Sequence, residues 1–254
     1  MIGCIIQARM GSIRLPGKVM KKLDENYTVL HYVIEQISNS KLIDKIVIAT
    51  TTLKEDDVIV DLAKKIHVDF FRGDSQDVLD RYYQCAKHFS FSTIVRITSD
   101  TPLIDPRITD QVITKFDPSK YDYVCNTQPR TFPQGTETEV FSFSSLEYIW
   151  NKATLPSERE HVTPYFYTHS EKFRILNIEN SENISHLRWC IDVENDLKLV
   201  KIFVNGIKNR PILTNDILQF LKKNPEVFEL NKGHIINEGY FKSLKEDEEF
   251  QKKQ

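Results

Sequence analysis

Short apolar runs alternate with amphipathic segments over the first hundred residues of the chain. The apolar runs of strand length are Ile2–Gln7, Lys45–Thr50, Val68–Phe71 and Thr93–Thr98. The segments whose apolar residues recur at helical spacing are 29–38, 55–66 and 78–86, the last with Asp77 as a predicted N-cap. This alternation predicts an α/β fold in which right-handed crossover helices join the strands of a mainly parallel sheet.

The chain between residues 128 and 145 breaks this alternation. It contains two prolines and a glycine, followed by alternating polar and apolar residues over Glu137–Phe143. This pattern predicts an extended loop and hairpin, which we interpret as an arm inserted in the main domain. The elements predicted after it are a helix over Ser157–Tyr167, strands at Phe173–Ile178 and Leu187–Ile191, and a helix opening near Glu194.

Charged residues dominate the last part of the chain. Residues 242–254 are charged and free of glycine, which predicts a solvated helix or a frayed tail whose removal costs little. We therefore expect one domain over residues 1–235, with the arm at about 128–175, and a charged tail over 236–254.

The composition excludes several classes of protein. The 254 residues carry 34 basic and 36 acidic side chains, without the basic excess of a protein that mainly binds nucleic acid. No apolar run approaches the roughly 18 residues of a membrane span. The N-terminus has no pattern of a cleaved leader, so we expect a cytoplasmic protein. The four cysteines are far apart in the sequence, which makes a zinc site improbable and indicates buried thiols in a reducing compartment.

A basic loop follows the first predicted strand. Its cations are Arg9, Arg14, Lys18, Lys21 and Lys22, and no acid occurs before Asp24. The loop also contains Gly11 and Gly17, and glycines let backbone N–H groups turn toward an anion. This composition, after a strand and before a helix, favours a phosphate site over the alternative of a solvated surface loop.

Two well-known phosphate loops do not fit this segment. The dinucleotide pattern GxGxxG needs three glycines, and the loop has two, six residues apart. The P-loop pattern GxxxxGK[ST] needs four residues between its glycines, whereas five occur here, and Val19 replaces the hydroxyl residue. A different phosphate loop is therefore expected.

The turn Ser99–Pro102 follows the fourth predicted strand. Ligands on parallel sheets bind at the carboxyl ends of the strands. Because the basic loop and this turn both follow strands, we expect them at the same edge of the sheet, around one ligand site.

The segment IIQARMGSIRLPGKVM, Ile5 to Met20, resembles the N-terminal signature of the acylneuraminate and KDO cytidylyltransferase superfamily. It is most similar to the branch named for spore coat polysaccharide biosynthesis protein F. Similar segments continue, in the order that the family shows, at Arg72–Tyr82, Val95–Pro106, Glu158–Tyr165 and Arg188–Leu197. The resemblance implies a Rossmann-like domain of the nucleotide-diphospho-sugar transferase type, with a projecting arm that commonly builds a homodimer.

The resemblance also implies a reaction, in which CMP passes from CTP to an acidic, sugar-like acceptor and pyrophosphate leaves. Arg9, Ser12, Arg14 and Lys18 would hold the triphosphate, with Lys18 nearest the transferred phosphate. Arg14, Lys18 and Asp100 would be the catalytic residues. The remaining nucleotide-binding positions implied by the resemblance are Gln7, Ala8, Met10, Gly11, Arg72, Gly73, Asp74, Arg81 and Ser99.

The family's two metal-binding aspartates correspond to Asp100 and Asp192. Each follows a predicted strand, and Mg²⁺ takes one or two carboxylates together with phosphate and water. The alternatives are a turn-capping role for Asp100 and an N-cap role for Asp192. We expect the pair to hold Mg²⁺.

The resemblance places the acceptor at Thr136, Glu137, Glu139, Glu160, His161 and Arg188. Glu160 and His161 are equally compatible with a surface pair, and Arg188 with a strand surface. Thr98–Pro102 (TSDTP) stands where KDO enzymes carry a Gln-Gly-Asp-Glu-Pro-like string, which leaves open a nonulosonic acid, another 3-deoxy sugar acid or a small phosphorylated polyol or acid.

Two other functions remain compatible with a fold of this type. One is a metal-dependent glycosyltransferase that uses a finished nucleotide sugar, although its usual Asp-x-Asp string does not occur in the sequence. The other is a non-catalytic nucleotide-binding protein, although the sequence retains Arg14, Lys18, Asp100 and Asp192.

Overall fold

The computed structural model describes residues 1–231 and 238–252. Its strands are β1 (Ile2–Gln7), β2 (Lys45–Thr51), β3 (Asp69–Gly73), β4 (Thr93–Thr98), β5 (Tyr123–Cys125), β6 (Glu139–Ser142) and β7 (Ile175–Asn177). They form one sheet in the order β3-β2-β1-β4-β6-β5-β7. All neighbouring strands are parallel except β6, which is antiparallel to both β4 and β5. The predicted α/β fold with four parallel strands in its first half is confirmed.

Ten α-helices occur in the part of the chain that the structure describes. They are α1 (Val29–Ile37), α2 (Asp57–Lys65), α3 (Val78–His88), α4 (Pro106–Lys115), α5 (Phe143–Lys152), α6 (Pro156–His161), α7 (Pro164–Thr168), α8 (Glu194–Gly206), α9 (Thr214–Lys223) and α10 (Glu238–Gln251). Asp77 caps α3 as predicted, because its side chain accepts a hydrogen bond from the backbone N–H of Asp80.

Helices cover both faces of the sheet, which explains the continuous apolar run of β1. Cys4 and Ile6 pack into one buried cluster with α1, α2 and α4, whereas Ile5 packs into a second cluster with α3 and α5. Successive residues of a strand point to opposite faces, so a strand covered on both sides is apolar at every position. A third cluster joins α8 and α9 to the loop before α1.

The predicted hairpin arm does not project from the body over residues 131–142. Phe132 and Thr136 are buried, and β6 lies between β4 and β5 inside the sheet. The strand predicted from the alternation over Glu137–Phe143 is β6, which pairs antiparallel with β5. Val140 and Phe141 on its opposite faces are both fully buried, so β6 belongs to the main sheet and not to a projecting arm. The rest of the predicted arm forms α5–α7 and β7.

Two further predictions after residue 150 are wrong. The single helix expected over Ser157–Tyr167 is two helices, because Val162 has a positive φ of 72° and Pro164 opens α7. The strand expected at Leu187–Ile191 is a segment with one isolated bridge, Gln134↔Arg188. The helix expected near Glu194 is α8.

The C-terminal helix α10 is packed on the body of the protein. Ser243 and Asp247 on α10 are buried, and the Asp247 carboxylate accepts a 2.9 Å hydrogen bond from the backbone N–H of Ser157 in α6. The prediction of a wholly solvated tail is wrong for this helix. Within residues 1–231 and 238–252, no helix has the length and apolar character needed to cross a membrane.

Candidate active site

Two adjoining clefts open at the carboxyl ends of β1 and β4. The large cleft, of about 1230 Å³, is lined by the basic loop, the end of β4, α6 and α10. The small cleft, of about 410 Å³, is lined by the segment before β6 and by residues from Arg188 to Asp192. The residues that line both are Arg14, Arg96, Thr98, Asp100, His161, Asp192 and Gly239. We call the place where the clefts meet the junction.

Short-range hydrogen bonds fold the basic loop into a compact turn. The backbone N–H groups of Ser12 and Gly17 both donate to the carbonyl of Met10, at 2.8 and 3.1 Å. The N–H of Met10 in turn donates to the buried carboxylate of Asp56 at 2.6 Å. Gly17 adopts φ 64°, a left-handed conformation that favours glycine, and the 3-10 turn that follows it begins at Lys18. The loop is thereby anchored with Arg9, Arg14 and Lys18 along the large cleft, whereas Lys21 and Lys22 line neither cleft.

Lys18 lies at the junction between the two predicted metal-binding aspartates. Its Nζ is 2.7 Å from Asp100 Oδ2 and 3.0 Å from Asp192 Oδ1, and it also donates to the carbonyl of Ile191 at 2.8 Å. The N–H of Ile191 donates to the carbonyl of Asp100 at 2.8 Å, which ties the two aspartate segments together. Burial lowers the pKa of Lys18, but the two carboxylates outweigh burial and raise its pKa above the ordinary value.

Three cations surround Asp192. Besides Lys18, Arg14 Nη2 contacts Oδ1 at 2.6 Å and Arg188 Nη2 contacts Oδ2 at 2.6 Å. Burial raises the pKa of Asp192, but these charges prevail and lower the pKa to about 2. Asp192 does not cap α8, because Asp196 accepts the N–H groups of Asp192 and Val193. The N-cap alternative for Asp192 is therefore excluded.

A buried arginine in the large cleft lacks partners for part of its guanidinium group. Arg81 on α3 is 1% exposed, and its Nε and Nη2 have no hydrogen-bond partner among the described residues. The same holds for Oε1 of Gln7, which lines this cleft at the end of β1. Burial, and after it the charge of Arg9, lower the pKa of Arg81. Because unpaired buried polar groups are costly, these donors and this acceptor indicate a ligand-binding position.

Two carboxylates of the small cleft are held by arginines. Glu137 pairs with Arg130, and Glu139 pairs with Arg96. Glu139 also accepts hydrogen bonds from the hydroxyls of Tyr123 and Thr163, the latter at 2.6 Å. Hence Glu137 and Glu139 line the small cleft, as expected for the acceptor region, but both are engaged within the protein.

Glu160 and His161 end α6 beside the junction. The hydroxyl of Ser243 on α10 donates to Glu160 Oε2 at 2.9 Å and lies 2.9 Å from His161 Nε2. Arg9 Nη2 contacts the other oxygen of Glu160 at 3.4 Å. Burial lowers the pKa of His161, and the nearby charge of Glu160 offsets only part of this effect. The pair is thus part of the cleft wall and not an isolated surface pair.

The structure brings most of the predicted residues to the clefts but not all. Gln7, Ala8, Arg9, Gly11, Ser12, Arg14, Lys18, Arg81, Ser99, Asp100, Glu160, His161 and Asp192 line the large cleft, and Glu137, Glu139 and Arg188 line the small one. Met10, Arg72, Gly73, Asp74 and Thr136 line neither of the two.

The positions that lie outside the clefts have other partners. Arg72 binds Asp57 at 2.6 Å and the carbonyl of Thr51 at 2.8 Å, and Asp74 accepts the N–H groups of the turn before α3. Thr136 is fully buried and donates its hydroxyl to the carbonyl of Pro133. These three side chains are thus engaged within the protein, and their contacts with a ligand stay predictions.

Several cleft residues were missed by the sequence analysis. Arg96 interrupts the apolar run of β4, and a charge inside a buried strand was an available signal. Gln134, which accepts from Arg188 at 2.7 Å, and the α10 residues Lys242, Ser243 and Lys245 gave no such signal, because their position depends on packing between distant segments.

The junction offers carboxylates to a hard cation. No group of three or more His, Cys, Asp or Glu side chains with metal-site geometry occurs within residues 1–231 and 238–252. Among the described residues, the side chain of Asp100 accepts a hydrogen bond only from Lys18, through Oδ2, and it lines both clefts. This donor set fits an ion that takes one or two carboxylates and completes its shell with phosphate and water oxygens.

Comparison with known proteins finds one matching family model and several similar proteins. The family model described as "Cytidylyltransferase" matches residues 3–231. The chain is 33% identical to the spore coat polysaccharide biosynthesis protein SpsF of Bacillus subtilis over 231 residues, which cover 87% of this chain and 94% of that protein. It is 26% identical to 3-deoxy-manno-octulosonate cytidylyltransferase 2 of Hydrogenovibrio crunogenus, over 72% of this chain and 79% of that one.

One solved structure matches over nearly its whole length. A cytidylyltransferase from Leptospira borgpetersenii superposes with a TM-score of 0.87 at 34% identity. The match covers 92% of this chain and 99% of that chain.

Proposed function

The chain belongs to the cytidylyltransferase family, and from this membership we propose that it transfers CMP from CTP to an acidic, sugar-like acceptor in the synthesis of a cell-surface polysaccharide or glycan. The family predicted from the sequence is confirmed, and the protein is a nucleotidyltransferase. The observation that carries the proposal is the junction, where Lys18, Asp100 and Asp192 lie between two clefts of different size and lining.

The large cleft is the proposed nucleotide site and the small cleft the proposed acceptor site. An acceptor hydroxyl oxygen attacks the α-phosphorus of CTP, forms the new P–O bond and loses its proton to solvent. The bond from the α-phosphorus to the oxygen that bridges to the β-phosphorus breaks, and pyrophosphate leaves. Catalysis of this kind depends on positioning and on neutralising charge. Lys18 and Arg14 lie at the junction, where they would balance the charge on the transferred phosphate.

We propose that Mg²⁺ binds with the nucleotide beside Asp100. The ion would supply charge neutralisation to the phosphates. Asp192 is the second proposed ligand, and it differs from Asp100 because both its oxygens already accept from cations of the protein. Asp192 would therefore also keep Lys18, Arg14 and Arg188 in position.

Selection of cytosine is assigned to Gln7 and Arg81. The Watson–Crick edge of cytosine carries two acceptors, O2 and N3, beside the N4 amino donor. The unpartnered Nε and Nη2 of Arg81 supply donors, and the unpartnered Oε1 of Gln7 supplies an acceptor. Uracil presents a donor at N3 and an acceptor at O4, which reverses the pattern at both positions.

The lining of the small cleft supports a polar acceptor with several hydroxyl groups. The hydroxyl side chains that line it are Thr98, Thr101, Thr127, Thr163, Tyr167 and Tyr240. The carboxylate of Glu137, whose pair with Arg130 is more exposed than the Arg96–Glu139 pair, adds an acceptor for hydrogen bonds from sugar hydroxyls. Arg14, which lines both clefts, is the proposed partner of the acceptor's acidic group.

Two experiments test this function. A thermal-shift screen of ATP, CTP, GTP and UTP with Mg²⁺ should show the largest stabilisation with CTP, because binding to the native state raises its stability. A pyrophosphate-release panel over sugar acids and phosphorylated small acids should then identify an acceptor. Hydrolysis of a nucleotide sugar without pyrophosphate release would favour the glycosyltransferase, and CTP binding without turnover on any acceptor would favour a non-catalytic protein.

We also propose a cellular location and an oligomeric state for this enzyme. A cytoplasmic enzyme would have direct access to CTP, and fractionation of the source cells tests this location. We propose a homodimer through the arm at about 128–175, of which residues 131–142 are already packed within the chain. Light scattering of the purified protein should give twice the 29.7 kDa chain mass.

A further inference from the structure

Helix α10 lies beyond residue 231, where the match to the family model ends. It nevertheless forms part of the wall of the large cleft, together with the basic loop and α6. The large cleft is thus completed by an element that lies outside the matched residues.

Specific contacts fix α10 against α6. The backbone N–H of Ser157 donates to Asp247 Oδ1 at 2.9 Å, and Asp247 is 6% exposed. One turn earlier, Ser243 is 3% exposed, and its hydroxyl donates to Glu160 Oε2 at 2.9 Å. Because Glu160 also contacts Arg9 of the basic loop, α10 and the loop are linked through one carboxylate. The helix therefore presents a defined face to the cleft.

Lys242 and Lys245 lie on that face. Both are exposed, both line the large cleft, and their spacing of three residues places them on one side of the helix. Neither lysine forms an ion pair with any residue in the described part of the chain.

The cations that the basic loop contributes to the large cleft are already partly neutralised by carboxylates of the protein. Lys18 contacts Asp100 and Asp192, and Arg9 contacts Glu160. The triphosphate of CTP therefore meets a loop whose charge is shared with carboxylates, whereas the ammonium groups of Lys242 and Lys245 are available to it. An ammonium group matches phosphate oxygens and does not distinguish one base from another.

We propose that α10 is a substrate-binding wall of this enzyme, in which Lys242 and Lys245 bind the β- and γ-phosphates of CTP and the pyrophosphate product. This assignment rests on the proposed function, because it takes the large cleft as the nucleotide site. It makes the end of the chain part of the active site.

Calorimetry on the full chain with Mg²⁺ tests the assignment, with CTP, pyrophosphate and CMP as ligands. The double variant K242A/K245A should bind CTP and pyrophosphate about tenfold more weakly than the wild type, while its affinity for CMP changes by less than about twofold. Raising the salt concentration should narrow the difference for CTP, because exposed charges are screened.

The matched control is K198A/K201A. These two lysines on α8 are exposed, have the same spacing and line neither cleft. The control should bind all three ligands as the wild type does, and the melting temperatures of both double variants should stay near that of the wild type.

The possible outcomes separate the two proposals. Wild-type protein that fails to bind CTP would overturn the proposed function itself. Wild-type binding of CTP with unchanged or tighter binding by K242A/K245A would overturn the role of α10 and leave the function standing. If K198A/K201A weakened the binding of CTP and pyrophosphate equally, the effect would come from the overall charge of the protein. That result would also overturn the assignment.

Discussion

Two groups of paired charges line the clefts of this protein but differ in how exposed their carboxylates are. At the junction, Lys18 joins Asp100 and Asp192, and the side chain of Asp100 is 27% exposed. In the sheet, Arg96 on β4 pairs with Glu139 on β6, whose side chain is 8% exposed. Tyr123 and Thr163 complete the hydrogen bonds of Glu139. The junction can therefore exchange partners with a ligand. In the sheet, both oxygens of Glu139 are already used within the protein, and its pair with Arg96 mainly holds strands together, although Nε of Arg96 has no partner among the described residues.

This difference bears on the expectation for Glu139, which stays a prediction. The resemblance placed it among acceptor-binding residues, and it does line the small cleft. However, its two oxygens already accept from an arginine and two hydroxyls. A carboxylate that reaches a cleft is thus a ligand-binding candidate only to the extent that its oxygens are not used within the protein.

The largest expected effect is on stability, from Glu139→Ala. Removing one member of a buried ion pair leaves the other charge uncompensated, so we expect a loss of about 3–5 kcal/mol in the free energy of unfolding. Urea denaturation measures it, with Glu137→Ala as the control, since the Glu137–Arg130 pair is more exposed. Equal urea midpoints for Glu139→Ala and Glu137→Ala would show that the Arg96–Glu139 pair does not stabilise the fold.

The second effect is on turnover, from Lys18→Met. The variant removes the ammonium at the junction but leaves Arg14 and Arg188 on Asp192. Pyrophosphate release should fall by at least about 100-fold, because charge stabilisation of the transition state is lost. Lys22→Met in the same loop should keep activity, because Lys22 Nζ donates to the carbonyl of Glu25 and Lys22 lines neither cleft. Lys18→Met with turnover within severalfold of the wild type would remove Lys18 from the mechanism.

The third effect is the acid sensitivity that Asp192 confers. Its pKa is lowered to about 2 from an ordinary value of 3.8, so its contribution is present above about pH 4. The contribution is lost as the pH falls toward 2 and amounts to about 2 kcal/mol. Urea unfolding at pH 5, 4 and 3 should show a shallower loss for Asp192→Asn than for the wild type. Identical slopes would mean that the carboxylate is not held by its three cations.

The smallest effect concerns the unpaired arginine in the large cleft. Arg81→Met should weaken CTP binding about tenfold and reduce the preference for CTP over UTP. Its free energy of unfolding should stay level or rise slightly, because burying an unpaired charge is unfavourable. Calorimetry with both nucleotides and urea unfolding check the two parts. A variant that is strongly destabilised yet still selects CTP would assign Arg81 to the fold.

The first half of the fold was predictable because its strands and helices differ in hydrophobic period. The bounds of β1 and β4 agree with the apolar runs at Ile2–Gln7 and Thr93–Thr98. The position of Lys18 beside Asp100 followed from the rule that ligand loops share the carboxyl edge of a parallel sheet. These features depend on local pattern and on simple topology.

The remaining features depend on contacts between distant segments. Arg72 lies near the end of β3, at the predicted ligand edge of the sheet, but its side chain donates to Asp57 and to the carbonyl of Thr51. The 131–142 segment has the composition of a loop and hairpin, but the sheet and Trp189 bury it. Gly135, at φ 107°, packs closely against Trp189. The charged face of α10 gave no sign that Asp247 would bind the start of α6. The local hydrophobic period predicts neither the direction of a side chain nor the packing of one segment against another.

A crystal structure with CTP and Mg²⁺ tests the central claim most directly. The account predicts the triphosphate along the basic loop in the large cleft, the α-phosphate beside Lys18, and the metal ion on Asp100 at the junction. A nucleotide bound elsewhere, or in the large cleft with its α-phosphate away from the junction, would contradict the account.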